Sequence, residues 1–154
     1  KIVNYINQLE NKSSYDNIVN ACTDITGFGL IGHLSEMLES TNFDQLSMNL
    51  EPMKIFLELD KIPIYLGVEE LFDKGFESTL ASSNKNFLKN IDGDKNLRFE
   101  LIYSDFLFDS KLYNIMLKVL LDPQTCGPLV ISCSSSYSEK LIQHGPWKKI
   151  GFVS

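Results

Sequence analysis

Apolar residues at Leu30, Ile31, Leu34, Met37 and Leu38 recur with the spacing of one helical face and predict a helix of about three turns packed on a core. Leu112, Ile115, Met116, Val119 and Leu120 repeat the pattern. Ser110 stands where a cap for that second helix is expected. Asp122-Pro123 ends it, because proline disfavours helical backbone in the residue before it. A shorter helix is expected after Pro52, another over residues 68–74 with Gly75 as its C-terminal cap, and a last over residues 138–144 ahead of Gly145. Ser136 is read as the start signal of that last helix.

A different period marks the strands. Leu46, Met48 and Leu50 alternate with polar neighbours, as do Phe99, Leu101 and Tyr103, and both runs predict half-buried strands. Residues 19–23, 128–133 and 150–153 read as further strands, the first ending where the glycines begin. Residues 78–94, rich in Ser, Asn, Lys and Gly, read as a loop with one helical turn around residues 86–90. Strands alternating with helices predict an α/β class of the α+β type: a mixed β-sheet layered with helices, in a single domain over residues 1–154.

Composition narrows the function. Of the 154 residues, 44% are hydrophobic and 22% charged, which suffices for a sizeable core. No apolar run approaches the roughly 20 residues of a membrane span. The net charge is −6, with Arg98 as the single arginine and no basic cluster, so capture of nucleic acid through its phosphates is not expected. Three cysteines, Cys22, Cys126 and Cys133, show no metal-ligand spacing and suit a reducing, cytoplasmic setting. Acids concentrate in residues 1–77, where 13 stand against five lysines; such a surface suits metal ions but equally suits solvated helices. The chain opens on Lys1 and stops inside an expected strand, so it reads as a piece of a longer polypeptide.

Two segments could carry chemistry. In the first, residues 21–33, a strand end runs through Thr23, Asp24, Thr26, Gly27 and Gly29 into a helix N-terminus, a junction whose free amides and dipole suit phosphate. Asp24 there could meet a Mg²⁺ bridging to phosphate oxygens, or Asp24 and Thr26 could simply cap the helix. The second segment, residues 122–129, offers Gln124 and Thr125 on a loop, or else merely turns the chain between a helix and a strand. His33 lies off the apolar face of its helix and His144 closes another, and both read as structural.

The motifs themselves resemble one family. ACTDITGFGLIGHLSEM (residues 21–37) is similar to the signature that opens the carboxyl-terminal domain of selenophosphate synthetase, also called selenide, water dikinase. DPQTCGPL (residues 122–129) resembles its second signature, Asp-Pro-Gln-Thr-Ser-Gly-Gly-Leu, and Gly67-Val68-Glu69-Glu70, Lys85-Asn86-Phe87 and residues 147–153 follow in the family's order. The resemblance implies a carboxyl-terminal domain of the aminoimidazole ribonucleotide synthetase superfamily. It implies an enzyme that makes selenophosphate, AMP and phosphate from ATP, selenide and water with Mg²⁺.

The resemblance also implies a division of labour. An amino-terminal ATP-binding domain, absent from these residues, would supply the catalytic groups and the homodimer contact, so that this domain alone is inactive. Asp24 would join the metal cluster, and Thr23, Thr26, Gly27, Gly29, Asn86, Gln124 and Thr125 would face phosphate or substrate. Pro128, which lacks the N–H a glycine would offer, and Lys85 in place of the family's arginine depart from the pattern. Other readings are a different ATP-dependent enzyme of the superfamily, or a binding or regulatory domain that kept the fold.

Overall fold

The computed structural model describes residues 19–48, 50–90, 99–103 and 109–154. Strand β1 (Val19–Asp24) leads through a four-residue turn into helix α1 (Gly29–Ser47). Next come strand β2 (Ile55–Glu58), a 3₁₀ turn (Leu59–Lys61) and helix α2 (Val68–Asp73). A single helical turn α3 (Ala81–Asn84) runs directly into a 3₁₀ helix (Lys85–Asn90). Strand β3 (Phe99–Ile102), helix α4 (Ser110–Leu121), strand β4 (Leu129–Cys133), helix α5 (Ser135–His144) and strand β5 (Gly151–Val153) complete the order.

This is the expected α+β class, but the strands divide between two sheets. β1 and β4 pair antiparallel, with Asp24 opposite Leu129 and Cys22 opposite Ile131. The second sheet is mixed, in the order β3-β2-β5, with β2 parallel to β3 and antiparallel to β5. Phe56 and Phe152 face each other across the antiparallel pair and stack at 4.7 Å between ring centroids. The core lies between the helices and the sheets: Leu30, Ile31, Leu34 and Leu38 of α1 and Met116 and Leu120 of α4 meet Leu57 and Phe99. Burial of these aliphatic and aromatic groups is what makes the two predicted helices form where their apolar stripes lie.

Several boundaries differ from the expectation. The strand expected at Leu46, Met48 and Leu50 does not form. α1 continues to Ser47, and the amides of Met48 and Leu50 cap its last turn by donating to Gln45 O. All three of those apolar side chains are exposed, so no burial rewarded the alternation. Inside the polar half of α1, buried Asn42 accepts from Met53 N at 2.7 Å and donates to Met53 O at 3.0 Å, which ties the helix to the chain entering β2.

The helix expected after Pro52 is instead β2, where Ile55 and Leu57 alternate into the core, followed by buried Leu59 of the 3₁₀ turn, and the strand's backbone finds partners on both sides. The cap of α4 is Asp109, whose carboxylate accepts from Leu112 N at 2.9 Å, and Ser110 is the first helical residue. α5 begins at Ser135, one residue before the expected signal. The supposed loop of residues 78–94 contains α3 as well as the 3₁₀ helix, and its residues 91–94 lie outside the described ones. The helix over residues 68–73 and the positive φ of Gly75, at +84°, agree with the sequence reading.

Candidate functional site

β1 delivers Thr23 and Asp24 to the end of the two-stranded sheet, and the chain then turns through Ile25–Phe28 into α1. The Asp24 side chain is exposed and has no hydrogen-bond or ion-pair partner among the described residues. Thr23 Oγ1 donates to Asp24 O at 3.3 Å. The turn is closed by Thr26, whose carbonyl accepts from Gly29 N at 3.1 Å. Gly29 carries φ +69°, and a Cβ there would lie 2.8 Å from Leu120 O, so only glycine lets α1 start this close to the end of α4.

Neither Asp24 nor Thr26 caps this helix. The residue preceding it is Phe28, and no side chain bonds to the first amides. The Thr26 hydroxyl is engaged elsewhere, 2.9 Å from His33 Nε2, while His33 Nδ1 lies 3.2 Å from Glu36 Oε2. A carboxylate only accepts, so Nδ1 carries a proton toward Glu36, and in the neutral ring Nε2 then accepts from Thr26 O–H. His33 is buried, at 8% exposure, and its two ring nitrogens tie the turn to the helix, as a structural histidine does.

The second motif folds against the first. Gln124 N donates to Thr26 O at 3.0 Å and Ile25 N donates to Pro128 O at 3.0 Å, so the two segments form one double loop at the mouth of the β1–β4 sheet. The approach requires Gly127, because a Cβ at that position would overlap the carbonyl of Ile25. Pro128 loses no ladder bond, since only its carbonyl is used here. The Gln124 side chain turns back and donates to Asp122 Oδ2 at 2.8 Å. Burial pushes the Asp122 carboxyl above its ordinary value, against the opposing effect of that hydrogen bond.

Of the residues singled out from sequence, Thr23, Asp24, Thr26, Gly27, Gly29, Gln124 and Thr125 therefore belong to a single unit, with Thr125 exposed on it. Asn86 is exposed in the 3₁₀ helix and makes no hydrogen bond to either loop. The buried asparagine is Asn84, two residues earlier. Its Nδ2 donates to Gly27 O and to Leu121 O, both at 2.9 Å. Nothing in the run Ala81-Ser82-Ser83-Asn84 distinguished it from loop composition.

Asp24 fits a hard divalent cation as one oxygen ligand. Among the described residues, however, no three His, Cys, Asp or Glu side chains are grouped to hold a metal. Two surface cavities, of about 430 and 280 Å³, lie along α2 and α4, and neither includes Asp24 or the Thr26–Gly29 turn. No helix among the described residues is long and apolar enough to cross a membrane.

The chain is thus an α+β domain whose glycine-bearing strand-to-helix junction is braced by a second loop. Residues 3–144 match the family described as AIR synthase related protein, C-terminal domain, and the chain belongs to that family. Among named proteins it is similar to a selenide, water dikinase of Treponema denticola, 36% identical over 86% of this chain and 30% of that protein. It is likewise similar to selenide, water dikinases of Caldanaerobacter subterraneus (33% identical, 92% of this chain, 34% of that one) and Agathobacter rectalis (28%, 89% and 33%). The chain thus spans about a third of the length of these relatives.

Proposed function

We propose that this chain is the carboxyl-terminal part of a selenide, water dikinase, an enzyme that makes selenophosphate, AMP and phosphate from ATP, selenide and water. In this reading Asp24 contributes one oxygen to a Mg²⁺ whose other ligands, with the groups that bind ATP, come from the amino-terminal part of the polypeptide. The observation that carries it is the exposed Asp24 carboxylate, without a partner among the described residues, beside an uncapped helix start held by the second signature loop. A helix cap would have consumed one of the two acceptors, Asp24 or Thr26, and it consumes neither.

When bound, the magnesium neutralises charge on the transferring phosphoryl group, in keeping with a chain that has one arginine. The residues of this chain orient. Thr26 and Gly29 shape the turn and His33 anchors it. Gln124 N–H joins the two loops, and Thr125 faces outward where a phosphate would approach. With a single candidate ligand, no base hydrogen-bonded to the Cys126 thiol among the described residues and no phosphate-binding lysine in the double loop, the domain alone does not turn over ATP. A cytoplasmic setting and a homodimer built through the amino-terminal part complete the proposal.

Asp24→Asn in the full-length enzyme tests it. The substitution keeps shape and removes the charge, so selenide-dependent ATP consumption collapses while thermal stability without metal stays level or rises. Near-normal consumption at ordinary Mg²⁺ would show that Asp24 is not a ligand.

A further inference from the structure

Among the described residues two asparagines are buried in helices, and they serve different places. Asn42, 6% exposed, spends its amide on Met53 N–H and C=O and joins α1 to the chain before β2. Asn84, 4% exposed, spends both of its amide protons on carbonyls from two different segments: Gly27, three residues after Asp24, and Leu121, immediately before Asp122-Pro123. An amide nitrogen has two protons to give, so this donor is saturated and its direction is set.

The two acceptors explain why such a tether is useful. Leu121 lies in the last turn of α4, where carbonyls have no partner inside the helix. Gly27 has no side chain of its own to pack, and a Cβ built there would meet no atom within 4 Å. Asn84 holds the Gly27 carbonyl, and by gripping Leu121 at the same time it sets the Asp24 turn against the root of the Asp122–Pro128 loop.

We propose that Asn84 is a positioning residue for the Asp24 site, acting through the Gly27 and Leu121 carbonyls to keep the two loops in one register. The inference rests on the reading of Asp24 as a magnesium ligand. Asn84 touches neither metal nor substrate in this scheme. Its removal frees the Gly27 peptide and leaves the buried Leu121 carbonyl without its donor, so the turn that aims Asp24 loses its bearing.

The test compares Asn84→Ala, Asn84→Ser and Asn42→Ala in the full-length enzyme, with the Mg²⁺ concentration for half-maximal rate as the readout at saturating ATP. Loss of a group that orients a ligand costs about 10- to 100-fold in metal affinity or activity, so Asn84→Ala raises the Mg²⁺ requirement by that order. Asn84→Ser, which keeps one donor, falls between, and it carries the comparison if the alanine variant does not fold. Asn42→Ala lowers the melting temperature but leaves the Mg²⁺ requirement where it was. Hydrogen exchange at the amides of Gly29 and Gln124 quickens in the Asn84 variants and not in Asn42→Ala.

An unmoved Mg²⁺ requirement in both Asn84 variants, with Asp24→Asn inactive, overturns this inference alone. An active Asp24→Asn enzyme overturns the site reading beneath it, whatever the exchange rates show.

Discussion

The carbonyl of Thr26 accepts the backbone N–H of Gln124, 98 positions further along the chain, at 3.0 Å, from one signature segment to the other. Because the same carbonyl also accepts Gly29 N–H, the turn before α1 and the loop before β4 cannot shift independently without breaking a shared acceptor. The candidate site is therefore a property of two loops together.

Glycines 27 and 127 should respond oppositely to the same substitution. A Cβ at Gly127 overlaps Ile25 O, so Gly127→Ala destabilises by about 1–3 kcal/mol through forced backbone displacement. Gly27 has nothing within 4 Å and no positive φ, and Gly27→Ala is neutral or stabilises by up to about 0.4–1 kcal/mol by restricting the unfolded chain. Urea unfolding of the two variants checks this. Equal midpoints would show that the loops are not in contact through Gly127.

Asp122 imposes a pH-dependent penalty. Burial raises its carboxyl above the unfolded value, so the folded state binds the proton more tightly. Its contribution to stability therefore falls as pH climbs from the unfolded value through the raised one, and the full penalty stands at neutral pH. Asp122→Asn keeps an oxygen for Gln124 Nε2 and removes the charge, so it melts higher than the parent chain at neutral pH. The gain fades as the pH drops below the carboxylate range. Thermal melts across pH decide it, and a gain that persists unchanged in acid contradicts the burial account.

The three thiols should differ in reactivity. Cys22 and Cys126 are exposed, whereas Cys133 is half-buried opposite Val19 and burial pushes its thiol up. Since the thiolate is the nucleophile, iodoacetamide near neutral pH labels Cys22 and Cys126 before Cys133, and unfolding in urea abolishes the difference. Peptide mass mapping over a time course reads the order. Early labelling of Cys133 in the folded chain would contradict its placement in the β1–β4 sheet.

Much of the fold was legible because its signals are local. The stripe from Leu30 to Leu38 and that from Leu112 to Leu120 each need only one helix face to be buried, and both are. Leu46, Met48 and Leu50 misled because period-2 alternation predicts a strand only where a partner strand and a core face exist, and the end of α1 has neither. Residues 55–58 erred in the opposite direction: their strand is set by β3 and β5, which arrive from 44 and 96 positions downstream in the registered pairs.

The same division holds for the site. Sequence alone singled out the two segments that the fold joins, since Thr23-Asp24, the glycines and Asp122-Pro123-Gln124-Thr125 stand in recognisable order, with residue types suited to phosphate and magnesium. One arginine and a net charge of −6 also set the expectation that nucleic acid is not a partner. Only the tertiary structure decided that the segments are one unit, that Thr26 is committed to His33 while Asp24 has no partner among the described residues, and that Asn84 rather than Asn86 reaches them. The reason is the range of the forces involved. Periodicity and turn chemistry act over a few residues and leave a trace in local spacing. The donor that a buried carbonyl finds is chosen by whatever the fold carries past it, here an asparagine 57 residues from Gly27 and 37 from Leu121.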